Sequence, residues 1–401
     1  MVRSAAVDFS FSDREQAFAE EARRWLEAHL PAAWRRDHCW TRVEDPMWIE
    51  VARQWQRTLF DGGWAAIAWP RDYGGRGATV VERWLFDQAL DQAGAPRPPA
   101  QSYVDLIGPA LLQHGTEAQR SRYLAPMVNG DELWCQGFSE PGAGSDLAAL
   151  RCRADRDGDH YVVNGQKVWT SNADIADWCF LLCRTEPDAP KHKGISLLLV
   201  DMRTPGITVR PLTQMTDDAE FCEVFFEDVR VPAADMLGAP GAGWGIAMGI
   251  VAHERGPMWT FVFQRKIRRS LSRLIASLRE HPAARGALAD PWTRQRIAQA
   301  HIEVELLRLS GYRSLTTLLR TGHPGAESSL EKIMGSETDQ RLQDLALSLV
   351  GAYGALRSGP LALGGGSVAR QFLYARSETI MGGTSEIQRN VIAQRILGLP
   401  R

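Results

Sequence analysis

The chain has 401 residues, enough to bury a sizeable core in one large or two to three ordinary domains. Its 46 Lys plus Arg against 48 Asp plus Glu leave almost no net charge, which excludes a nucleic-acid or polybasic membrane-surface binder, so an anionic ligand must be met by local basic groups. The six cysteines form no Cys-x-x-Cys pair, Met1–Phe11 lacks the apolar core of a secretory signal and no run reaches about 18 apolar residues, so the composition predicts a reduced, cytoplasmic setting.

From Ser12 to His29 the apolar residues Ala17, Phe18, Ala22, Trp25 and Leu26 recur at three- and four-residue steps behind Ser12-Asp13-Arg14-Glu15, a capping-box start that predicts an amphipathic helix. Further helices are predicted over Trp48–Asp61, Val80–Ala93 and Ala118–Asn129, separated by breakers at Asp72–Gly75 and the Pro-rich Gly94–Ala100. Near Trp134 the pattern changes to short β-rich runs: His160–Val163, Lys167–Thr170, Trp178–Arg184, Ile195–Asp201, Thr208–Pro211 and Glu223–Val229. Cys179 and Cys183 fall in one of these runs and read as small buried hydrophobes rather than metal ligands. From Gly245 the helical period returns in four segments, Gly245–Arg279, Pro291–Arg320, Ser328–Val350 and Ser367–Ile396, and predicts a helical bundle. The expected fold is α+β, with a helical domain over 1–133, a β domain over 134–240 and a helical domain over 241–401.

Phe138-Ser139-Glu140-Pro141-Gly142-Ala143-Gly144-Ser145-Asp146 sets small, backbone-exposing residues between hydroxyls and carboxylates, so its amides can approach a phosphate or a ring edge. Taken alone it is equally a turn. A later β run reads Asn164-Gly165-Gln166-Lys167-Val168-Trp169-Thr170-Ser171-Asn172. Together with Gly63-Trp64, Trp69-Pro70, Tyr73-Gly74-Gly75, Asp228-Val229-Arg230-Val231-Pro232 and Gly383-Thr384-Ser385-Glu386-Ile387-Gln388-Arg389-Asn390, these motifs cover almost the whole length. In their order and spacing the chain strongly resembles the acyl-CoA dehydrogenase family.

That resemblance implies a helical domain, a barrel-like β domain and a four-helix bundle, and an FAD enzyme that converts an acyl-CoA thioester to a trans-2-enoyl-CoA. It implies that Phe138 and Ser139 contact the flavin ring and that Trp169, Thr170 and Ser171 stack on it and hydrogen-bond to it. Gly144 and Ser145 fall near the flavin pyrophosphate and the CoA pantetheine, and Thr384 and Glu386 on the adenosine side. Many family members carry the catalytic base as a Glu just before the Gly-Thr of the last motif, but here that position is Gly382, which accepts no proton. A second family arrangement places the Glu on a bundle helix before an Arg, and Ala252-His253-Glu254-Arg255 matches it. Glu254 is therefore the expected base, Arg255 a CoA contact and His253 a structural residue, while Gly382 keeps the backbone N–H that meets the thioester oxygen and leaves room for a bulky or branched acyl group.

Two family motifs that reach a neighbouring subunit's flavin are not intact, reading Arg279–Leu288 and Ser348–Gly354 here. The same combination is similar to one subunit type of heterotetrameric sterol side-chain acyl-CoA dehydrogenases. The expected partners are an acyl-CoA substrate, an electron-transfer flavoprotein, and either further copies of this chain in a dimer or tetramer or a second acyl-CoA dehydrogenase-like chain. A non-catalytic subunit, an acyl-CoA oxidase and a flavin nitroalkane oxidase on the same fold stand as alternatives.

Overall fold

A computed structural model describes residues 10–35, 48–96, 99–254, 257–284, 286–322 and 325–400. The chain divides into two compact units at Gln101/Ser102.

In the first unit α1 (Asp13–His29) starts at the expected capping box, where Ser12 and Glu15 exchange side-chain and backbone hydrogen bonds. α2 (Trp48–Asp61) and α3 (Val80–Ala93) follow, the latter with a second capping box of Thr79 and Glu82. The apolar faces meet in an aromatic cluster in which Trp25 lies 5.9 Å from Trp55 and 5.7 Å from Trp64, with Phe86 stacked on Trp64 at 4.9 Å.

The sequence pattern misses α4 (Pro99–His114), because the Pro-rich run over 94–100 reads as a breaker. Pro99 stands where the described part of the helix begins, and Pro109 lies inside it. From Ser102 on, α4 belongs to the second unit, where Val104, Ile107 and Leu111 are buried. α5 (Glu117–Asn129) ends at Gly130 in the left-handed conformation. Its capping Gln119 also donates from Nε2 to the carbonyls of Ala234, at 2.8 Å, and Met236, at 2.9 Å, tying the helix to the β domain.

The β domain comprises β1 (Trp134–Gly137), β2 (Arg153–Asp157), β3 (His160–Ser171), β4 (Trp178–Arg184), β5 (Ile195–Asp201), β6 (Ile207–Leu212), β7 (Phe221–Pro232) and β8 (Met236–Leu237). They form one sheet in the order β6-β7-β3-β2-β4-β5-β8, with β1 parallel to β4. The two expected runs at 160–163 and 167–170 are one 12-residue strand, β3, irregular in its pairing with β7. β2 is charged and mostly exposed, so only its pairing with β3 reveals it as a strand. β4 and β5 are buried along almost their whole length, which explains their unbroken apolar runs. Cys135, Cys152, Cys179, Cys183 and Cys222 are free thiols in this core. Cys39 lies outside the described residues.

The last part holds α6 (Gly243–Glu254), α7 (Pro257–Glu280), α8 (Pro291–Thr321), α9 (Glu327–Ser348), α10 (Ser367–Glu378) and α11 (Ser385–Val391). The helix expected over Gly245–Arg279 is described on both sides of residues 255–256, which lie outside the described residues. Ser367–Ile396 is divided, because Gly382 and Gly383 take φ of 64° and 93°, values that end a right-handed helix. Phe263, Ile267, Leu271, Leu274 and Leu278 of α7 form one face and pack on Val304, Leu307, Leu342 and Ala346 in the bundle core.

A Cβ added at Gly137 of β1 would stand 2.7 Å from Cys179 Sγ and 3.0 Å from Leu181 Cδ1. Gly137→Ala is expected to cost about 1–3 kcal/mol by overpacking, read as a lower urea midpoint. An unchanged midpoint would mean that β1 and β4 have slack.

Candidate active site

Phe138 and Ser139 leave the end of β1, and β3 catches them in two ways. The N–H of Val168 donates to the Ser139 carbonyl at 2.9 Å, and Lys167 Nζ donates to the Phe138 carbonyl at 2.9 Å. Lys167 is fully buried, and its second partner is Glu140 Oε1 at 2.9 Å. The Glu140 carboxylate also accepts from the N–H groups of Arg151, at 2.7 Å, and Cys152, at 2.8 Å. Both oxygens of this buried anion are thus hydrogen-bonded, by three donors in all, which offsets the desolvation of a buried ion pair. The sequence reading passed over Glu140 and Lys167 as site-builders, although both stand inside the quoted motifs.

The loop beyond closes on itself, with Glu140 and Ala143 exchanging N–H···O bonds of 3.1 and 3.0 Å. Gly142 and Gly144 are exposed, and a Cβ at either would meet no protein atom within 4 Å. Packing within this chain does not require glycine there, so the room is available to a ligand. Ser145 is exposed beside them, and Asp146 pairs with Lys191 at 2.7 Å on the surface.

Two residues along β3 from Lys167, the sheet distorts. Lys167 pairs with Val224 but Thr170 with Cys222, so three residues of β3 are matched by two of β7 and one is extra. Trp169 sits in this bulge at φ 60°, a left-handed conformation that costs a bulky residue about 1–2 kcal/mol. Its ring is 60% exposed and rests edge-on against Phe221 at 6.1 Å. Trp169 is therefore not a core residue. Next to it Thr170 is fully buried, and its Oγ1 meets no protein partner among the described residues. Ser171 is half-buried and pairs through its backbone with Phe221. An exposed aromatic face on a strained backbone, an orphaned buried hydroxyl and an open glycine loop are the features expected of residues that hold a flat, polar-edged ring system.

The second part of the site is the turn after α10. The N–H groups of Ile380 and Met381 both donate to the Ser377 carbonyl at 2.9 Å, and Ser385 N–H donates to the Thr379 carbonyl at 2.9 Å. Gln388, fully buried, donates from Nε2 to the carbonyls of Gly382 at 3.1 Å and Gly383 at 3.4 Å. Among the described residues no protein acceptor meets the Gly382 N–H. Thr384 caps α11, its hydroxyl accepting from Ile387 N–H at 3.2 Å. Glu386 is exposed in the first turn, and its carboxyl is held below the usual range by the backbone N–H there and by the Thr384 hydroxyl.

Glu254 is the last residue of α6, and its side chain lies outside the described residues, as do Arg255 entirely and the His253 side chain. α6 itself is firmly seated: Ile246, Ala247 and Ile250 are buried, and a Cβ at Gly243 would meet the Ser196 backbone of β5 at 2.4 Å.

The strand and turn regions share a support in α10. Its Arg370 pairs with the buried Asp218 of the β6–β7 connection, and Asp218 also accepts from Thr216 Oγ1 at 2.8 Å. Two residues on, the Glu220 carbonyl accepts from Asn172 N–H at 2.6 Å, just beyond Ser171, and Phe221 backs Trp169. These long-range partners carry no local sequence signal.

Comparison with known proteins decides what this arrangement belongs to. Acyl-CoA dehydrogenase family models match the N-terminal domain over residues 12–131, the middle domain over 135–229 and the C-terminal domain over 241–397. The chain belongs to the acyl-CoA dehydrogenase family. It is 39% identical over 356 residues to the acyl-CoA dehydrogenase IpdE1 of Mycobacterium tuberculosis, covering 88% of this chain and 89% of that one. Its identity to IpdE1 of Mycolicibacterium smegmatis is 37% over 402 residues, covering 96% and 98%. Among solved structures, the Tcur3481-Tcur3483 steroid acyl-CoA dehydrogenase superposes with a TM-score of 0.84 at 31% identity, covering 98% of this chain and 100% of that one. The ChsE4-ChsE5 complex from Mycobacterium tuberculosis does so at 0.80 and 32%, covering 98% and 100%. The family implies a flavin, and the open glycine loop, Trp169 and Thr170 fit one. No helix of the described residues is long and apolar enough to cross a membrane.

Glu140→Gln leaves the Lys167 ammonium buried without its counter-ion, and is expected to cost about 3–5 kcal/mol in urea unfolding and to lower the flavin content of the purified chain. Trp169→Gly relieves the left-handed strain while giving up an aromatic contact of about 0.5–1.5 kcal/mol, so stability should move by no more than about 1 kcal/mol while flavin affinity falls at least tenfold. Equal losses in both would make Trp169 a stability residue.

Proposed function

We propose that this acyl-CoA dehydrogenase binds FAD and converts a bulky or branched acyl-CoA, including steroid-linked ones, to the trans-2-enoyl-CoA. The observation that carries the reading is the exposed Trp169 on its strained bulge beside the partnerless Thr170 hydroxyl. In this reading Phe138, Ser139, Trp169, Thr170 and Ser171 hold the ring, Gly144 and Ser145 the pyrophosphate side, and Thr384 and Glu386 the adenosine side. The flavin, when bound, accepts the hydride that leaves the substrate β carbon.

The chain's own chemistry is proton removal. Glu254 takes the α proton, and Arg255 contacts the CoA. The free N–H of Gly382 donates to the thioester oxygen, where negative charge grows as the proton departs, and a fixed dipole there needs no reorganisation. Gly382 lacks the side chain that other members place at this position, and the space suits a broad acyl group. The steroid named for the Tcur3481-Tcur3483 relative supports that substrate class.

Reduced enzyme passes its electrons to an electron-transfer flavoprotein in this reading. The altered segments Arg279–Leu288 and Ser348–Gly354, together with relatives that are two-chain complexes, support a heterotetramer with a second acyl-CoA dehydrogenase-like chain over a homo-oligomer. The domain boundaries at 133/134 and 240/241 are retained as functional divisions.

Anaerobic titration of the purified chain with straight, branched and steroid-linked acyl-CoAs should bleach the flavin absorbance with the bulky class. Glu254→Gln should leave flavin content unchanged and slow that bleaching by at least a thousandfold, about 4 kcal/mol in barrier. Bleaching by straight medium chains first would remove the substrate proposal, and a wild-type rate in Glu254→Gln would remove the base.

A further inference from the structure

Three charged side chains from three helices meet inside the C-terminal bundle, and the proposed chemistry uses none of them. Lys266 of α7 donates from Nζ to Asp339 Oδ2 of α9 at 3.0 Å and to Glu378 Oε1, the last residue of α10. Asp339 is fully buried and Glu378 is 2% exposed, while Phe263 and Tyr374 place their rings about the ammonium at 5.1 and 5.2 Å. Gln343 donates to the second Asp339 oxygen at 2.8 Å. Glu378 Oε2 is buried and meets no donor among the described residues.

Two carboxyls on one ammonium are resolved by a proton. Burial pushes Glu378 up to about 8, against the pull of Lys266 and helped by Asp339, while Asp339 stays below the usual range because its own burial, the largest single influence, is outweighed by Lys266 together with the hydrogen bonds of Gln343 and Glu378. At neutral pH the cluster is Lys⁺, Asp⁻ and a neutral Glu, with no net charge. A cation and a protonated carboxyl at the last turn of α10 also complement that helix end.

The cluster's place in the chain gives it a use. The Gly382 turn is built directly on the end of α10: Ser377 and Thr379 accept its N–H groups, and Gln340 of α9 donates to the Ala375 carbonyl at 3.0 Å and to Thr379 Oγ1 at 3.1 Å. α7 begins three residues after Glu254. We propose that Lys266, Asp339 and Glu378 form a clamp that fixes the Gly382 turn against α7, the helix that follows the base, making Glu378 and Lys266 positioning residues for the oxyanion contact. The proposal rests on the reading of Gly382 as that contact.

The test combines hydrogen exchange with kinetics on the purified flavin-loaded chain and the acyl-CoA that bleaches it fastest. Glu378→Leu should speed amide exchange of residues 379–384 at least tenfold and lower kcat at least tenfold, with KM changed less than threefold. A charge-balanced Lys266→Met/Asp339→Asn variant, which buries no unpaired charge, should do the same if Glu378→Leu folds poorly. Glu378→Gln copies the neutral carboxyl and should restore most of kcat at pH 7. In the wild type kcat should fall as pH rises through about 8, when the cluster gains a net negative charge. The groups facing Glu378 are Lys266, Asp339 and Tyr374, with Glu220 and Arg370 approaching Tyr374; Lys266 and Tyr374 are pushed up and Asp339 down, away from that window. Glu378→Gln should lack this limb. Unchanged exchange in both clamp variants overturns the clamp. Faster exchange with wild-type kcat overturns the positioning role through the Gly382 assignment instead, and an alkaline limb kept in Glu378→Gln assigns that titration to another group.

Discussion

The ion pair between Lys167 and Glu140 is the constraint on which the Phe138–Trp169 half of the candidate site depends. An ammonium with no exposure is tolerable only if its counter-ion is equally well held, and Glu140 meets that condition through two backbone N–H groups from Arg151 and Cys152. The pair draws the loop from Phe138 onto β3 and fixes the strand two residues before Trp169. A bulge at that point turns a side chain that regular alternation would direct by the pleat into an exposed platform. Strain at Trp169 is thereby carried by a buried electrostatic contact nearby rather than by the residue itself.

The other half depends on α10. Its first turns hold Arg370, which grips Asp218 and through the following residues supports Phe221 under Trp169. Its last residue, Glu378, enters the buried cluster with Lys266 and Asp339. One rigid helix therefore bears on both the ring platform and the glycine turn. A shift of α10 would misplace both together, which suits a reaction in which proton removal and hydride departure must be aligned on adjacent carbons.

The conformation of Gly382 is consistent with this frame. At φ 64° glycine is unstrained where an L residue is not, and the turn is held by Gln388 and the end of α10 without help from a side chain at 382. In the proposed function the turn donates an N–H and Glu254 supplies the carboxylate, so the two duties fall to separate elements.

The local pattern was enough for most helices, for the apolar strands β4 and β5, and for the family, because capping boxes, hydrophobic period and short motifs are properties of neighbouring residues. Phe138, Ser139, Trp169, Thr170 and Ser171 could be proposed as a site from short motifs for the same reason. The pattern misjudged α4 and β2, where prolines and charges masked elements that pairing and packing secure, and it merged α10 with α11, which the glycine turn after Glu378 separates. The exposure of Trp169, the orphaned Thr170 hydroxyl and the partners of Lys266 were decided only by the tertiary structure. Lys266 meets residues 73 and 112 positions away, and whether a charge is solvated or buried against another depends on such contacts rather than on its neighbours in the chain.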